Sequence, residues 1–412
     1  MGRQQPPALT TVTAGEGGRP ATGRRRAGWP LVLAALLLLA ALTATATALR
    51  VNGTFSAWEA AAVETSDAGQ LRLGYFGNLT HAPALVGVHE GILAQELGGT
   101  ELSPQVFGSG PTAIEAMNAG TLDAAFVGPN PAINSYVQSD GQSLAIVAGA
   151  ASGGAQFVVS SDVAGADDLA GRSFATPEFG GTQDVALRTW LAEHGWDADG
   201  DGDRAVAITP MPNGQTLQML RQGQIDGGWL PQPWATRAVQ EEGARVLVDE
   251  RELWQDGRYP TTVLVVRRDY LAQHPQTVEK LVRGLQRSVD WLHAHEDDPV
   301  TTAGTLNAAL EQAGTEPLPQ SSLVGALGAL EWTVDPLLRT YPTLLADAVA
   351  AGTTQDASLE GLVDTRLLDR VRATAQDPAP AQAPAPAQDP APAQAPAPAQ
   401  DPAPAGDEGA RP

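Results

Sequence analysis

No cysteine occurs in the 412 residues. That single absence removes disulfides, thiol catalysis, Cys-ligated zinc, iron–sulfur clusters and a lipid-modified N-terminal Cys. Lysine is nearly as scarce, since Lys280 stands alone. With 25 Lys and Arg against 47 Asp and Glu, the formal net charge is -22 and nothing forms a basic stripe. Nucleic acid is therefore not an expected partner, and the acidity mainly keeps the chain soluble. Metal-ligand spacing is also missing. The acidic run "DADGDGD" (Asp197 to Asp203) sets carboxylates at positions one, three, five and seven of a calcium loop, with Gly202 at six. Position twelve is Ile208, where a bidentate Glu is required, so a solvated acidic loop is the better reading. No Ser-His-Asp set is visible by spacing, although a triad scattered along the chain stays open. The expectation is a protein that is not an enzyme and uses no cofactor and no metal.

Both ends lie outside any core. Arg24, Arg25 and Arg26 precede an uncharged run from Trp29 to Ala48, the layout of an export signal and also long enough to span a bilayer. Small triplets such as Ala44-Thr45-Ala46 suit a signal peptidase, while the length of the run suits an uncleaved anchor; both readings stand. The arginines hold that end in the cytoplasm, so the remainder is expected to be exported, to the outer face of the cytoplasmic membrane, the periplasm or the cell wall. At the other end "QDPAPAQAPAPA" repeats from Gln376. Alternating proline removes donors and fixes an extended chain, a stiff spacer or wall-spanning tail.

Between the ends, strand and helix signals alternate as in α/β architecture. "LRLGYFG" is a strand, "NLTHAPALVGVHEGILAQEL" a helix broken at Gly91, and "LSPQVF" a second strand leading to "GSGPTAIEAMNAG", a helix with Pro111 in its first turn and Gly120 at its stop. From about Ser160 the plan restarts, with "RSFATP", a helix for which Thr182 is a plausible cap, "AVAITPMP", and a helix closed by Gly223. One pattern is written twice: "NAGTLDAAFVGPNP" (Asn118 to Pro131) and "RQGQIDGGWLPQPW" (Arg221 to Trp234). Each is a helix ending at Gly, a strand, and a turn rich in Gly and Pro. Ligands of open α/β sheets sit beyond the carboxyl ends of strands, so the two turns are expected to be the two jaws of one cleft. Late helices, with no new sheet, would return to complete the first half. The expected division is a basic region at 1–28, a signal or anchor at 29–48, a linker at 49–70, one lobe from 71–160 and 259–371, a second lobe at 161–258, and a Pro/Ala tail at 372–412.

Four blocks in order, "GYFGNLTHAPALVG", "GPTAIEAMNAGTLDAAFVGPNPAI", "LAGRSFATPEFGGTQDVALRTWL" and "GQIDGGWLPQPWA", resemble the periplasmic-type substrate-binding proteins of ABC importers for aliphatic sulfonates, nitrate and taurine. The resemblance covers about Leu71 to Val371. It implies an α/β, two-lobed (type II) periplasmic-binding-protein-like fold whose lobes close on a ligand, and an exported monomer that delivers its ligand to a permease and its ATPase. It leaves the ligand open among a sulfonate-like anion, taurine, nitrate, a thiamine precursor and riboflavin. Two relatives of other kinds share such a core. One is a ligand-sensing domain, which would need an output domain; the other is a pyrimidine-making enzyme, which carries a Cys-rich motif absent here.

The candidate ligand-binding residues lie along the two jaws. Gly77, Asn78 and His81 stand where the first strand gives way to a helix, and Ser109 and Gly110 stand in the same relation to the next. Asn130, between two prolines, would expose an amide on a rigid turn. Thr182 and Gln183 open a helix in the second half. Trp229, Pro231 and Trp234 would form an apolar wall, against the reading that one of the Trp is core. Arg188, four residues after Asp184, reads as half of a local ion pair rather than a ligand contact. The assembled pocket is rich in donors and poor in full charges, which suits a sulfonate or a neutral polar molecule better than a phosphate.

Overall fold

The computed structural model describes residues 67–376. The N-terminal apolar run and the Pro/Ala repeats fall outside them. Among the described residues no helix is long and apolar enough to cross a membrane.

Twelve strands, β1 (Gln70–Phe76), β2 (Glu101–Phe107), β3 (Ala124–Val127), β4 (Leu144–Gly153), β5 (Ala155–Val159), β6 (Ser173–Thr176), β7 (Asp197–Ala198), β8 (Ala205–Pro210), β9 (Gly227–Pro231), β10 (Arg245–Asp249), β11 (Pro260–Arg267) and β12 (Leu330–Trp332), form two sheets of six among the described residues. Their orders are β12-β4-β11-β3-β1-β2 and β10-β5-β9-β6-β8-β7. The interiors match strand for strand. β1 lies parallel to β2 and β3, with β11 antiparallel beside β3; β6 lies parallel to β8 and β9, with β5 antiparallel beside β9. The central strands β3, β4, β9 and β11 are buried on both faces, which is why they read as continuous apolar runs, while β2, β8 and β10 are partly exposed. Along β3, Ala124 and Phe126 enter one core and Ala125 and Val127 the other; along β9, Trp229 and Leu230 divide in the same way. The Pro275–Ala294 helix closes one face of the first sheet with Val278, Leu281, Val282, Leu285, Val289 and Leu292.

The Asp shared by the two copies of the repeated motif has a structural reason. Asp123, just before β3, accepts from the Arg72 amide at 2.9 Å and from the Arg72 guanidinium. Asp226, just before β9, accepts from the Ser173 amide and from the Arg172 guanidinium, both at 2.8 Å. In each sheet one carboxylate thus pins the start of the central parallel strand and neutralises an arginine beside it.

Three expectations are corrected. β5 pairs with β9 and β10, so the chain passes into the second sheet at Gly153 and Gly154, ahead of the boundary expected at 160. Both glycines have positive φ (75° and 78°), and a Cβ on Gly154 would fall 2.2 Å from Leu330 Cδ2, so the crossing admits no side chain. The late segment is not purely helical: the helix Gln320–Leu327 stops at Gly328, and β12 adds an edge strand to β4. Thr182 is not a cap. Gly181 holds that position and Thr182 begins the helix.

Candidate functional site

The carboxyl ends of β1, β3 and β6 open onto one cleft between the sheets. Asn78, Thr80, His81, Ser109, Gly110 and Gly128 line it from the first lobe, and Pro177, Glu178, Gly181, Thr182, Gln183 and Pro231 from the second. The lobes are closed on each other: the Leu79 amide donates to the Gln232 carbonyl at 3.0 Å, and Trp234 Nε1 to Asn78 Oδ1 at 2.8 Å. The enclosed volume is about 40 Å³. A water needs roughly 10–15 Å³ on that measure, so anything beyond a few atoms must hold the lobes further apart.

Three helices start at this cleft, Gly110–Asn118, Pro129–Gln138 and Thr182–Glu193, and none has a side-chain capping bond at its N-terminus. The first two carry Pro in the first turn, where a missing N–H costs nothing. The first-turn N–H groups lie ahead of the helical ladder, apart from the Asp184 amide, which donates to the Gly181 carbonyl at 3.1 Å, and they carry the positive ends of the helix dipoles. The Thr182 hydroxyl is buried and has no hydrogen-bond partner among the described residues. It faces Gly128 across the cleft, where a Cβ would fall 2.2 Å from Thr182 Oγ1. Only glycine at 128 therefore lets the lobes meet in this way.

His81 is 3 % exposed, with its ring 4.2 Å from that of Phe76. Its Nδ1 accepts from the Phe76 amide at 3.4 Å, which leaves the ring proton on Nε2. Burial pushes its pKa down to about 3, so it acts as a neutral donor rather than a cation. No Lys or Arg is on the wall among the described residues. The wall does carry one carboxyl, Glu178, whose pKa is raised by burial and then by the charge of Glu115.

Seven of the eleven residues expected from the sequence meet at this cleft: Asn78, His81, Ser109, Gly110, Thr182, Gln183 and Pro231. The other four do not line it. Gly77 backs onto Thr315. Asn130 is not on an exposed turn, because Pro129–Gln138 is helical from its first residue; the side chain is buried, Nδ2 donates to the Leu344 carbonyl at 3.3 Å, and Oδ1 has no partner among the described residues. Trp229 is fully buried, stacked 5.5 Å from Phe157, and donates to Glu250 Oε2 at 2.6 Å. Trp234 spends its N–H on Asn78 and its face on Arg237, so it ties the lobes together beside the cleft. Sequence reasoning passed over Gly128 and Glu178. Gly128 was legible as the glycine before a helix-opening proline, while a carboxylate ran against the anion-site logic that selected the rest. Arg188 is paired with Asp184 at 3.0 Å, as the helical spacing implies, and with Asp199 of the acidic loop at 2.9 Å. Among the described residues no cluster of three or more His, Cys, Asp or Glu is placed to hold a metal.

Two sheets on one plan, joined by crossing strands and closed around a cleft lined by helix N-termini, define a periplasmic-binding-protein fold. The alkanesulfonate-binding protein SsuA from Xanthomonas axonopodis pv. citri, bound to MOPS, superposes with a TM-score of 0.59 at 20% identity, over 73% of this chain and 99% of that one. The nitrate-binding protein NrtA from Synechocystis PCC 6803 superposes with a TM-score of 0.62 at 16% identity, over 76% and 90%. The chain belongs to the NMT1-like family, whose model matches residues 64–305. Among curated relatives, the bicarbonate transport ATP-binding protein CmpC of Synechocystis is 36% identical over 101 residues, 24% of this chain. That match spans 14% of the relative's own length.

Proposed function

We propose that the protein is the extracytoplasmic substrate-binding component of an ABC importer, capturing a small molecule with an oxyanion head between its lobes and handing it to a permease and ATPase. The observation that carries this is the convergence of three uncapped helix N-termini and the unpartnered Thr182 hydroxyl on one enclosed cleft with no cationic side chain on its described wall. Dipoles and neutral donors hold a singly charged oxyanion such as a sulfonate, nitrate or bicarbonate without the excess charge that would prevent release. The named relatives, which bind or transport such ions, support the same chemistry. His81 and Glu178 are the only titratable side chains on the wall among the described residues, and neither is paired with a nucleophile, so binding rather than catalysis is the reading. Export, membrane attachment through the N-terminal segment or the permease, and a monomeric state complete it.

Calorimetry and thermal melts of the full chain with ethanesulfonate, nitrate and bicarbonate test the reading. A ligand at a hundred times its dissociation constant adds about 2.7 kcal/mol of stability. At least one of the three is expected to bind and raise Tm; a folded protein indifferent to all of them refutes the oxyanion site.

A further inference from the structure

A second pocket, of about 290 Å³, lies at the end of the first sheet away from the cleft. β11 runs antiparallel to β3, so the Arg268–Gln273 helix that follows its last residue starts on the opposite side of the lobe from the carboxyl end of β3. Arg268 from that helix lines the pocket, and so do Arg366 and Arg370, one turn apart on the Arg366–Gln376 helix, with Asp364 as the one carboxylate on the wall. Three guanidiniums in one hollow stand out in a chain of net charge -22.

Two of the three are already matched. Arg366 forks onto Asp364 through Nε at 2.8 Å and through Nη2, and Arg370 reaches Glu279 at 3.0 Å. Arg268 makes no salt bridge among the described residues: its Nη2 donates to the Gly361 carbonyl, its Nε is enclosed without an acceptor, and Tyr136 covers one face of the guanidinium at 5.5 Å. One positive charge is therefore left over, on a fork that the Gly361 carbonyl and the Tyr136 ring hold in place. The rest of the wall is aliphatic, with Leu271 and Leu367 on it. A single surplus guanidinium beside aliphatic surface matches a singly charged phosphate diester with an apolar part; a free phosphate ion brings more charge and nothing to lay against the leucines.

The position of the pocket points to the source of such a group. The described chain enters the lobe beside it: Asp67 pairs with Lys280, and the Ala68 amide donates to Thr277 Oγ1 at 2.8 Å, on the helix whose first residue, Pro275, lines the pocket. The apolar run Trp29 to Ala48 precedes that entry point in sequence. We infer that the pocket holds the phosphate of an anionic membrane lipid, with Arg268 on the phosphate oxygens, Arg366 and Arg370 flanking it, and the glycerol and first methylenes against Leu271 and Leu367. This site is separate from the ligand cleft and independent of what the cleft binds.

Calorimetry of the full chain with dihexanoylphosphatidylglycerol, kept below the concentration at which it forms micelles, tests this, because a dissolved lipid separates the pocket from any insertion of the apolar run. Dihexanoylphosphatidylcholine, with the same chains and phosphate but no net charge, and inorganic phosphate are the comparisons. The anionic lipid is expected to bind about tenfold more tightly than either. Arg268→Gln is expected to remove that preference and Arg370→Gln to reduce it about threefold. Arg258→Gln, an arginine paired instead with Glu331 on β12, is expected to change nothing. Thermal melts of each variant report the fold, and if Arg268→Gln does not fold, Arg370→Gln decides. Equal binding of the two lipids, binding of neither, or a loss in Arg258→Gln as large as in the pocket variants overturns the site. Inorganic phosphate binding as tightly as the anionic lipid overturns the lipid as occupant.

Discussion

β3 and β9 occupy the same place in their sheets, each behind an Asp that pins the neighbouring strand and each filled with an aromatic that anchors a core. Beyond the strands the two copies diverge. After β3 the chain passes through Gly128 into a helix whose N-terminus faces the cleft. After β9 it passes through Pro231 to Gln232, whose amide donates to Gly154 at 2.8 Å and whose carbonyl accepts from Leu79, and on to Trp234, which reaches Asn78. One copy therefore lines the cleft with a helix start, while the other gives the wall Pro231 and ties the lobes to each other through Gln232 and Trp234. A repeated sequence fixes a repeated backbone event; the use made of its side chains depends on what stands opposite.

The sharpest difference between the copies lies at their aromatics. Phe126 needs only packing, whereas Trp229 carries an N–H that meets Glu250, a carboxyl fully enclosed where β10 returns towards β11. Burial lifts the pKa of Glu250 from 4.5 to about 8, opposed by its bonds from Trp229 and Trp254. Between those two values the unfolded chain has released this proton while the folded chain keeps it. Folding then takes up a proton, and stability falls as pH rises through that window. The fall is on the order of 5 kcal/mol if this group acts alone. Because Glu250 is one of 47 acidic residues, the measurement is the difference between wild type and Glu250→Gln in urea unfolding at pH 5 and pH 8. The variant, which keeps an acceptor for the indole, is expected to gain on wild type as pH rises. Parallel pH profiles would show that Glu250 does not hold its proton.

Truncating the aromatics themselves compares the cores directly. Phe126→Ala and Trp229→Ala are each expected to cost about 3–5 kcal/mol, and the second should also strip Glu250 of a donor. If Trp229→Ala instead keeps its stability and loses ligand affinity, the ring is a cleft wall after all.

The places of most strands and helices along the chain, and the duplicated plan, could be read from apolar runs and turn residues, because periodicity and turn chemistry are local. The order of the strands in the two sheets is set by pairing between distant segments and was not read. The cleft was legible where strand ends run into helix starts, which is how Asn78, His81, Ser109, Gly110, Thr182 and Gln183 were found. Asn130, Trp229 and Trp234 were placed wrongly on its wall for one physical reason. Each lies in the right segment, but helical or strand phase turns its side chain towards Leu344, Glu250 or Asn78 instead. The three-residue β12 carries too short a pattern to announce itself beside a helix.

The two motif carboxylates should separate by burial. Asp123 is 4 % exposed at its side chain and Asp226 26 %. Removing the first strands the Arg72 guanidinium and a strand amide, at about 3 kcal/mol; removing the second leaves water to take its place, and about 1 kcal/mol is expected. Urea midpoints of Asp123→Ala and Asp226→Ala measure this, and equal costs would mean that the pins work by geometry alone and not by desolvation.

The smallest effect distinguishes the wall from its support. Thr182 gives up no hydrogen bond when its hydroxyl is removed, since that oxygen has no partner in the closed cleft among the described residues. Thr182→Ala should therefore leave unliganded stability near wild type while costing the ligand a donor, about 1 kcal/mol or roughly a fivefold loss of affinity. Asn130→Ala does the opposite. It breaks the bond from Nδ2 to the Leu344 carbonyl, which ties the Pro129–Gln138 helix to the Tyr341–Ala350 helix, so about 1 kcal/mol of stability goes and affinity stays. Calorimetry and urea unfolding on the same two proteins give four numbers, and the crossed pattern is the expected one. A loss of affinity in Asn130→Ala larger than in Thr182→Ala would bring Asn130 back to the ligand, and would mean that the lobes open far enough on binding to expose the turn after β3.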